Sequence, residues 1–248
     1  MQKPKMVIFD YGQTLVDEEY YDERSRLKGT EAVLAKCFAD TGGVTAAEVQ
    51  KLADELNDDI GRNDPATRHL LYTAEIHNHP FQNYLYGYFN LTATASQLEI
   101  EKTFWDIAAP GKPSVHIREL LSYLGQNNIR TAVISNISFG GETVADRINT
   151  LLPYNRFEFI IASSEYVFRK PHRRIFEIAA RKARLDPRDI WYCGDNIVPD
   201  VNGSRGAGYT PVWYRGATKN ADQAQDGEAG CLVIYDWLEL IDVFNKLM

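Results

Sequence analysis

Four short segments, far apart in the chain, hold residues whose chemistry is complementary. They contribute Asp10 with Gly12, Ser135 with Asn136, Lys170, and Asp195 with Asp200. A carboxylate can attack phosphorus and form an aspartyl-phosphate intermediate, and carboxylates from different loops can bind Mg²⁺ as hard oxygen ligands. Hydroxyl, amide and ammonium groups can bind the phosphoryl oxygens. Together these residue types predict hydrolysis of a phosphate ester in two displacements.

Four of these residues are expected to bind the metal, and one of them, Asp10, to attack phosphorus. We expect Asp10 to be the nucleophile and to share Mg²⁺ with Asp195. The carbonyl of Gly12 would complete the protein ligands. Asp200 would either bind the ion or orient a group that does.

The remaining residues are expected to bind the phosphoryl group. Ser135 would donate through its hydroxyl, Asn136 through its backbone amide and Lys170 through its ammonium. The ammonium of Lys170 would also keep Asp10 ionised. Each residue alone has an ordinary structural explanation, as a helix cap, a loop carboxylate or a surface charge. The argument for a site is that all of them follow elements of one repeated pattern.

That pattern is a short apolar run that ends in polar residues. Residues 6–9, 131–134, 157–162 and 190–193 read as buried strands, with later strands at 210–214 and 231–235. From about residue 115 these runs alternate with helical patterns, such as Ile117, Leu120, Leu121 and Leu124. The alternation predicts an α/β fold with a Rossmann-like parallel sheet covered by helices on both faces. The carboxyl ends of such strands line one crevice, where ligands bind.

Residues 18–108 interrupt this alternation and predict an inserted, all-helical subdomain. Residues 1–17 and 109–248 would then form the α/β core. Helices are expected over residues 31–40, 45–59 and 96–108, the last two starting with the capping-box pairs Thr45/Glu48 and Ser96/Glu99. The aromatic segment 77–89 is interpreted as packing of this subdomain rather than as a metal or substrate site. Residues 216–230 read as an exposed loop.

Composition and charge narrow the functional classes. The 248 residues have a net charge of -7, which gives no electrostatic reason to expect nucleic acid or an anionic membrane as partner. Cys37, Cys193 and Cys231 match neither zinc spacing nor a disulfide framework, so reduced thiols and a cytoplasmic location are expected. The polar first residues resemble neither a signal peptide nor a membrane span.

In order and content the four segments closely resemble the motifs of the haloacid dehalogenase superfamily, over residues 5 to about 215. The resemblance implies that Asp10 is the nucleophile, Ser135 the phosphate-binding hydroxyl and Lys170 the superfamily's lysine. It implies that Asp195 and Asp200 form the acidic metal motif. The helical insertion resembles the cap of the first subclass, which closes over small substrates. The expected function is a Mg²⁺-dependent phosphatase for a small phosphorylated metabolite.

One position departs from the resemblance. Phosphatases of this superfamily usually carry an acid/base aspartate two residues after the nucleophile, where this chain has Gly12. Asp17 is the preferred candidate for the missing acid and base, and Glu18 is the less preferred one. The alternative interpretation of Asp17 is an exposed hinge carboxylate without a catalytic role.

Three other functions remain open. A phosphonatase would need a lysine such as Lys28, Lys36 or Lys51 to form a Schiff base. A dehalogenase would work without a metal and without the acidic pair Asp195 and Asp200. A catalytically weak member of the superfamily would only bind a phosphorylated ligand or a protein partner. No spacing rule selects among the possible substrate contacts or predicts the oligomeric state. The possible contacts are Tyr20, Tyr21, Arg24, Arg68, Tyr72 and His77.

Overall fold

The computed structural model describes residues 2–19, 21–62, 73–217 and 230–247. Its strands are β1 (Met6–Phe9), β2 (Val16–Glu18), β3 (Gly111–Pro113), β4 (Arg130–Ser135), β5 (Ile160–Ala162), β6 (Ile190–Gly194), β7 (Thr210–Tyr214) and β8 (Leu232–Ile234). Six of them form one sheet in the order β5-β4-β1-β6-β7-β8. Every pair in this sheet is parallel. The predicted α/β fold with a parallel sheet is confirmed.

The register of the central strand brings the chemical residues to one edge of the sheet. Phe9 of β1 pairs with Val133 of β4 on one side and with Cys193 of β6 on the other. The backbone amide of Asp10 continues the ladder by donating to the carbonyl of Cys193 at 2.9 Å. The residues that follow these strands therefore lie side by side at the carboxyl edge.

Helices cover both faces of the sheet. The helices are α1 (Glu23–Cys37), α2 (Ala46–Asp59), α3 (Asn78–Tyr88), α4 (Gln97–Ala108), α5 (Ile117–Gln126), α6 (Gly141–Leu151), α7 (Arg173–Ala183), α8 (Gly203–Gly206) and α9 (Trp237–Lys246). Alternate side chains of β1 point to opposite faces. Val7 and Phe9 pack in the cluster that includes Leu120 of α5, whereas Met6 and Ile8 pack in the cluster that includes Phe176 of α7.

The described residues between β2 and β3 are mainly helical, as expected, and have a core of their own. Val33, Val49, Leu85 and Ile100 form a buried cluster contributed by α1 to α4. The aromatic segment forms α3, and Leu85 together with the partly buried Phe81 joins that cluster, which supports the packing interpretation. The boundary of the subdomain at residues 18 and 108 stays a prediction.

The ends of the helices confirm two expectations and correct one. Thr45 with Glu48 and Ser96 with Glu99 form the predicted capping boxes. The first helix, however, spans Glu23–Cys37 rather than residues 31–40. It starts earlier because the Asp22 carboxylate accepts a 2.7 Å hydrogen bond from the amide of Ser25 and so caps the first turn.

Three strands differ from the sequence expectation. β2 and β3 pair antiparallel, with Asp17 opposite Lys112, and they join the two ends of the insertion. Each strand has only three residues, which is too few to show the alternation of apolar and polar residues that predicts a strand. β5 covers only residues 160–162 of the apolar run 157–162, because it lies at the sheet edge and has β4 as its single neighbour.

Of the expected loop 216–230, most residues lie outside the described ranges. Among the described helices, none combines the length and apolar character needed to cross a bilayer.

A buried carboxylate joins the insertion to the core. Glu101 of α4 is fully buried and accepts hydrogen bonds from the amide of Gly140 at 2.9 Å and from the hydroxyl of Thr143 at 2.5 Å, both at the start of α6. The amide side chain of Asn78 in α3 donates a third hydrogen bond at 3.1 Å. The negative charge also lies at the positive end of the α6 dipole.

We expect Glu101→Ala to lower the free energy of unfolding by about 2–3 kcal/mol, because it leaves buried donors without an acceptor. Urea unfolding measures this change. The exposed Glu142→Ala in the first turn of α6 is the control and should change stability by less than about 0.5 kcal/mol. Equal effects of the two substitutions would mean that the buried contact contributes nothing.

Candidate active site

The centre of the site is the buried ammonium of Lys170. Its Nζ lies 2.8 Å from Oδ1 of Asp10 and 2.6 Å from Oδ1 of Asp200. It also donates to the hydroxyl of Tyr192 at 2.8 Å. The side chains of Lys170 and Asp200 are 1% exposed, and that of Asp10 is 15% exposed. One cation therefore bridges two carboxylates at the carboxyl edge of the sheet, with Asp10 as the more accessible one.

Burial and charge set the protonation of this group. Burial raises the pKa of Asp10 to about 6, and the charge of Asp200 also raises it, against the lowering effect of Lys170. Burial lowers the pKa of Lys170, but the charges of Asp10 and Asp200 outweigh it and raise the pKa above its usual value. A divalent cation beside Asp10 would lower the pKa of that carboxyl and favour the ionised nucleophile.

Backbone contacts hold the lysine in place. The side chain of Asn136 donates from Nδ2 to the carbonyl of Lys170 at 2.8 Å and accepts from the amide of Lys170 at 2.7 Å. The loop after β4 is thereby tied to the residue that carries the ammonium. The hydroxyl of Tyr192 donates to the carbonyl of Ile134 at 3.1 Å, which fixes the phenol beside Lys170.

Asp200 is positioned from two sides. Its Oδ1 binds Lys170, and its Oδ2 accepts from the amide of Asn196 at 2.9 Å. Gly194 is required here, because a Cβ at that position would overlap the Asp200 carboxylate. With both oxygens already accepting hydrogen bonds, Asp200 is better suited to orient Lys170 than to bind a metal directly.

Three carboxylates are close enough to share one cation. Asp10, Asp195 and Asp200 each offer an oxygen within 4.8 Å of the others. Asp195 is held by the hydroxyl of Thr14, 3.3 Å from its Oδ1, and by the indole of Trp213, which donates to its carbonyl at 2.8 Å. A cluster of carboxylate oxygens is the donor set that Mg²⁺ prefers, so the residues fit the expected ion.

The other residues expected from the sequence lie in two places. Ser135 is buried at the carboxyl end of β4, next to Asn136. Gly12 follows Asp10 in the tight turn before β2, where it bridges to Val16. Both are near the strand ends at which the expected phosphoryl group would bind.

Asp17 and Glu18 point in opposite directions because they are neighbours on β2. Asp17 is close enough to Tyr214 of the core for its charge to act on that phenol. Burial, with a contribution from the charge of Asp17, raises the pKa of Tyr214 to about 12. Glu18 lines a cavity between the insertion and the core. The less preferred of the two acid candidates is therefore the one that faces the cavity.

The cavity has a volume of about 360 Å³ and a wall of both polar and apolar side chains. The core contributes Asn136 through Phe139, and the insertion contributes side chains from its helices. Three arginines of the wall lie near carboxylates: Arg26 is 3.3 Å from Asp54, and Arg62 and Arg169 are 3.6 and 3.3 Å from the buried Glu75.

The possible substrate contacts separate into three groups. Tyr21 lines the cavity, whereas Arg24 is exposed on α1. His77 caps α3 and lies 3.3 Å from Glu165. Tyr20, Arg68 and Tyr72 lie outside the described residues.

The family is shown by a match to the model of the haloacid dehalogenase-like hydrolases over residues 4–208. This chain belongs to the haloacid dehalogenase-like hydrolases. It is similar to two proteins named glyceraldehyde 3-phosphate phosphatase. One, from Pyrococcus abyssi, is 24% identical over 85% of this chain and 81% of the relative. The other, from Methanopyrus kandleri, is 30% identical over 37% of this chain, and the match spans only 40% of that relative.

A solved structure gives the same fold. The crystal structure of a 2-haloacid dehalogenase from Pseudomonas syringae matches this hydrolase with a TM-score of 0.64, covering 100% of both chains at 19% identity. At that identity the likeness concerns the fold alone.

Sequence analysis missed several residues of the hydrolase's site. Tyr192 lies inside an apolar strand run, so its hydroxyl gave no polar signal, and Thr14 follows the nucleophile without a pattern of its own. For Asn136 the sequence predicts a role of the backbone amide but not of the side chain. Only the fold shows that it meets Lys170, which is 34 residues away.

We expect Mg²⁺ to raise the melting temperature of the wild type, because a ligand that binds only the folded state stabilises it. Asp195→Asn should raise the Mg²⁺ concentration needed for half of this effect by at least about tenfold, since it removes a charged ligand. Thermal melts across a Mg²⁺ titration measure this shift. The exposed Asp242→Asn serves as control, and superimposable titrations for all three proteins would rule out Asp195 as a ligand.

Proposed function

We propose that this hydrolase is a Mg²⁺-dependent phosphatase that acts on a small phosphorylated metabolite through an aspartyl-phosphate on Asp10. The observation that carries the proposal is the position of Lys170, which binds Asp10 directly and lies beside the acidic cluster. A buried cation next to a partly accessible carboxylate and a set of metal-binding oxygens is suited to a trianionic transition state.

In the first displacement, Asp10 attacks phosphorus while Lys170 binds a phosphoryl oxygen and balances the negative charge that develops there. Ser135 and the backbone amide of Asn136, at the end of the adjacent strand β4, would donate to the remaining oxygens. A Mg²⁺ ion held by Asp10, Asp195 and the Gly12 carbonyl would neutralise further charge on the phosphoryl group. In the second displacement, water attacks the aspartyl-phosphate and releases Asp10.

The cavity supports a small, polar leaving group. Its volume of about 360 Å³ is near the lower end of the range for ligand pockets. Among apolar side chains, its wall also offers hydrogen-bonding groups such as those of Gln50, Asn57 and Asn78. The relatives named glyceraldehyde 3-phosphate phosphatase support a short hydroxylated phosphate ester as substrate. Three free thiols fit a reducing compartment such as the cytoplasm.

The competing functions find less support. Lys28, Lys36 and Lys51 lie on exposed faces of α1 and α2, and none of the described lysines lines the cavity, which disfavours a Schiff-base phosphonatase. The acidic cluster favours a metal-dependent reaction over metal-free dehalogenation. A protein that only binds a phosphorylated ligand would have no need for a nucleophile held against an ammonium.

The nucleophile is tested by Asp10→Asn. We expect this variant to fold and to lose turnover of p-nitrophenyl phosphate by at least about 10³-fold, because an amide cannot form the covalent intermediate. Steady-state kinetics with Mg²⁺ and circular dichroism measure both properties. The proposal fails if the folded variant keeps near-wild-type turnover, or if the wild type shows no turnover of any phosphate ester.

The role of the ammonium is tested by Lys170→Met, which keeps the hydrocarbon stem and removes the charge. We expect kcat to fall by at least about 100-fold even at saturating Mg²⁺, because transition-state charge is no longer balanced. The exposed Lys182→Met on α7 is the control. Recovery of full kcat at high Mg²⁺ would show that the lysine only assists metal binding.

A further inference from the structure

A phosphatase with Gly12 two residues after its nucleophile still needs a proton donor. When the P–O bond to an alkyl leaving group breaks, the bridging oxygen gains an electron pair and must be protonated, and the attacking water must later lose a proton. Asp10 and Asp200 are bound to Lys170, and Asp195 belongs to the proposed metal site. The acid must therefore be another group that reaches the space next to Asp10.

Glu18 has its carboxylate beside Gly12. A Cβ built on Gly12 would lie 3.5 Å from Oε2 of Glu18. The Glu18 carboxylate therefore lies next to the space that a short side chain on residue 12 would occupy, although Glu18 is six residues later in the chain. The turn makes this possible: Gln13 adopts a left-handed conformation with φ of 56°, and its amide donates to the carbonyl of Val16 at 2.8 Å. The chain folds back so that β2 runs past Gly12.

The carboxylate of Glu18 is also oriented. The indole of Trp105 donates to Oε1 at 2.8 Å, and Nη2 of Arg147 lies 3.5 Å from the same oxygen. The hydroxyl of Tyr11 contacts Glu18 and also accepts a hydrogen bond from Nε of Arg147 at 2.7 Å. Oε2 is the oxygen of this oriented carboxylate that lies beside Gly12, and the residue as a whole lines the cavity.

Arg147 forms ion pairs with two carboxylates, Glu18 and Asp106, so its charge does not act on Glu18 alone. Its Nη1 lies 2.6 Å from Asp106, its Nη2 also donates to the carbonyl of Ala109, and its guanidinium stacks on the Trp105 ring at 4.5 Å. At 3.5 Å the contact with Glu18 is the longer of its two ion pairs. Arg147 thus positions Glu18 while its charge is mainly balanced by Asp106.

We infer that Glu18 is the general acid and base of this site, an assignment that rests on the proposed phosphatase function. In the first step the Asp10–phosphorus bond forms, the bond from phosphorus to the leaving oxygen breaks, and that oxygen takes the proton of the Glu18 carboxyl. In the second step the Glu18 carboxylate takes a proton from water as the new oxygen–phosphorus bond forms and the Asp10–phosphorus bond breaks. The carboxyl is restored, and the net reaction is ester plus water to alcohol plus phosphate.

The acid role is tested by Glu18→Gln, which keeps an acceptor for Trp105 and removes the acidic proton. The probes are phenyl phosphate, with a poor leaving group, and p-nitrophenyl phosphate, whose leaving group departs without protonation. We expect kcat/KM to fall at least about tenfold more for phenyl phosphate than for p-nitrophenyl phosphate. Rapid mixing with p-nitrophenyl phosphate should also show a burst of one p-nitrophenol per site, because dephosphorylation becomes slow when no base activates water.

The controls separate this inference from the proposed function. The exposed neighbour Glu19→Gln should leave both substrates and the kinetics unchanged. If Glu18→Gln lowers both substrates equally and shows no burst, or if Asp17→Asn instead shows the leaving-group-dependent loss, the assignment to Glu18 is overturned while the phosphatase function stands. If the wild type hydrolyses neither ester, the phosphatase function fails and the acid role fails with it.

Discussion

The buried ammonium of Lys170 imposes the main constraint on this fold. Moving an isolated ammonium or carboxylate out of water costs more than the whole net stability of a typical domain. Lys170 and Asp200 are both 1% exposed, so each is tolerable only because it meets the other, with Asp10 as the third charge. Three segments distant in sequence must therefore meet at one point. The parallel sheet brings Asp10 and Asp200 together because β1 and β6 are adjacent and end at the same edge, and Asn136, which follows β4 on the other side of β1, binds the backbone of Lys170 there.

The contacts around this triad hold charges in place rather than add stability. Breaking a buried ion pair leaves an uncompensated charge, whereas replacing the whole set by apolar residues is often neutral or stabilising. The hydrogen bonds from Asn136 to the backbone of Lys170 and from Asn196 to Asp200 are best understood in these terms. They fix the distance between ammonium and nucleophile before a substrate arrives, which is the condition for electrostatic catalysis. Because the chain as a whole is negative, attraction for a phosphate ester must come from this local arrangement.

The sequence predicted that Asp10, Lys170, Asp195 and Asp200 lie at one edge of the sheet, but it could not decide whether Asp17 or Glu18 faces the cavity. Strand runs and the polar residues after them are visible in sequence, and the topology of a parallel sheet brings Asp10, Lys170 and Asp195 together without further information. Asp17 and Glu18 lie on a three-residue strand, where a shift by one residue exchanges the two faces. Nothing in the local sequence sets that register. It is set by pairing with β3, nearly a hundred residues away, whose own three residues carry no periodic signal.

The position of Glu18 also couples the chemistry to the placement of the insertion. Trp105, which donates to its Oε1, belongs to α4 of the insertion, and Arg147, which contacts the same oxygen, belongs to α6 beside the sheet. Its carboxylate is thus oriented only when these two helices lie against each other, the arrangement that the buried Glu101 stabilises through its bonds to the start of α6. Lys170 and its two carboxylates are held within the core alone. In the proposed mechanism, phosphoryl binding is therefore built into the core, while protonation of the leaving group depends on the contact between core and insertion. The same contact encloses the cavity in which the leaving group would lie.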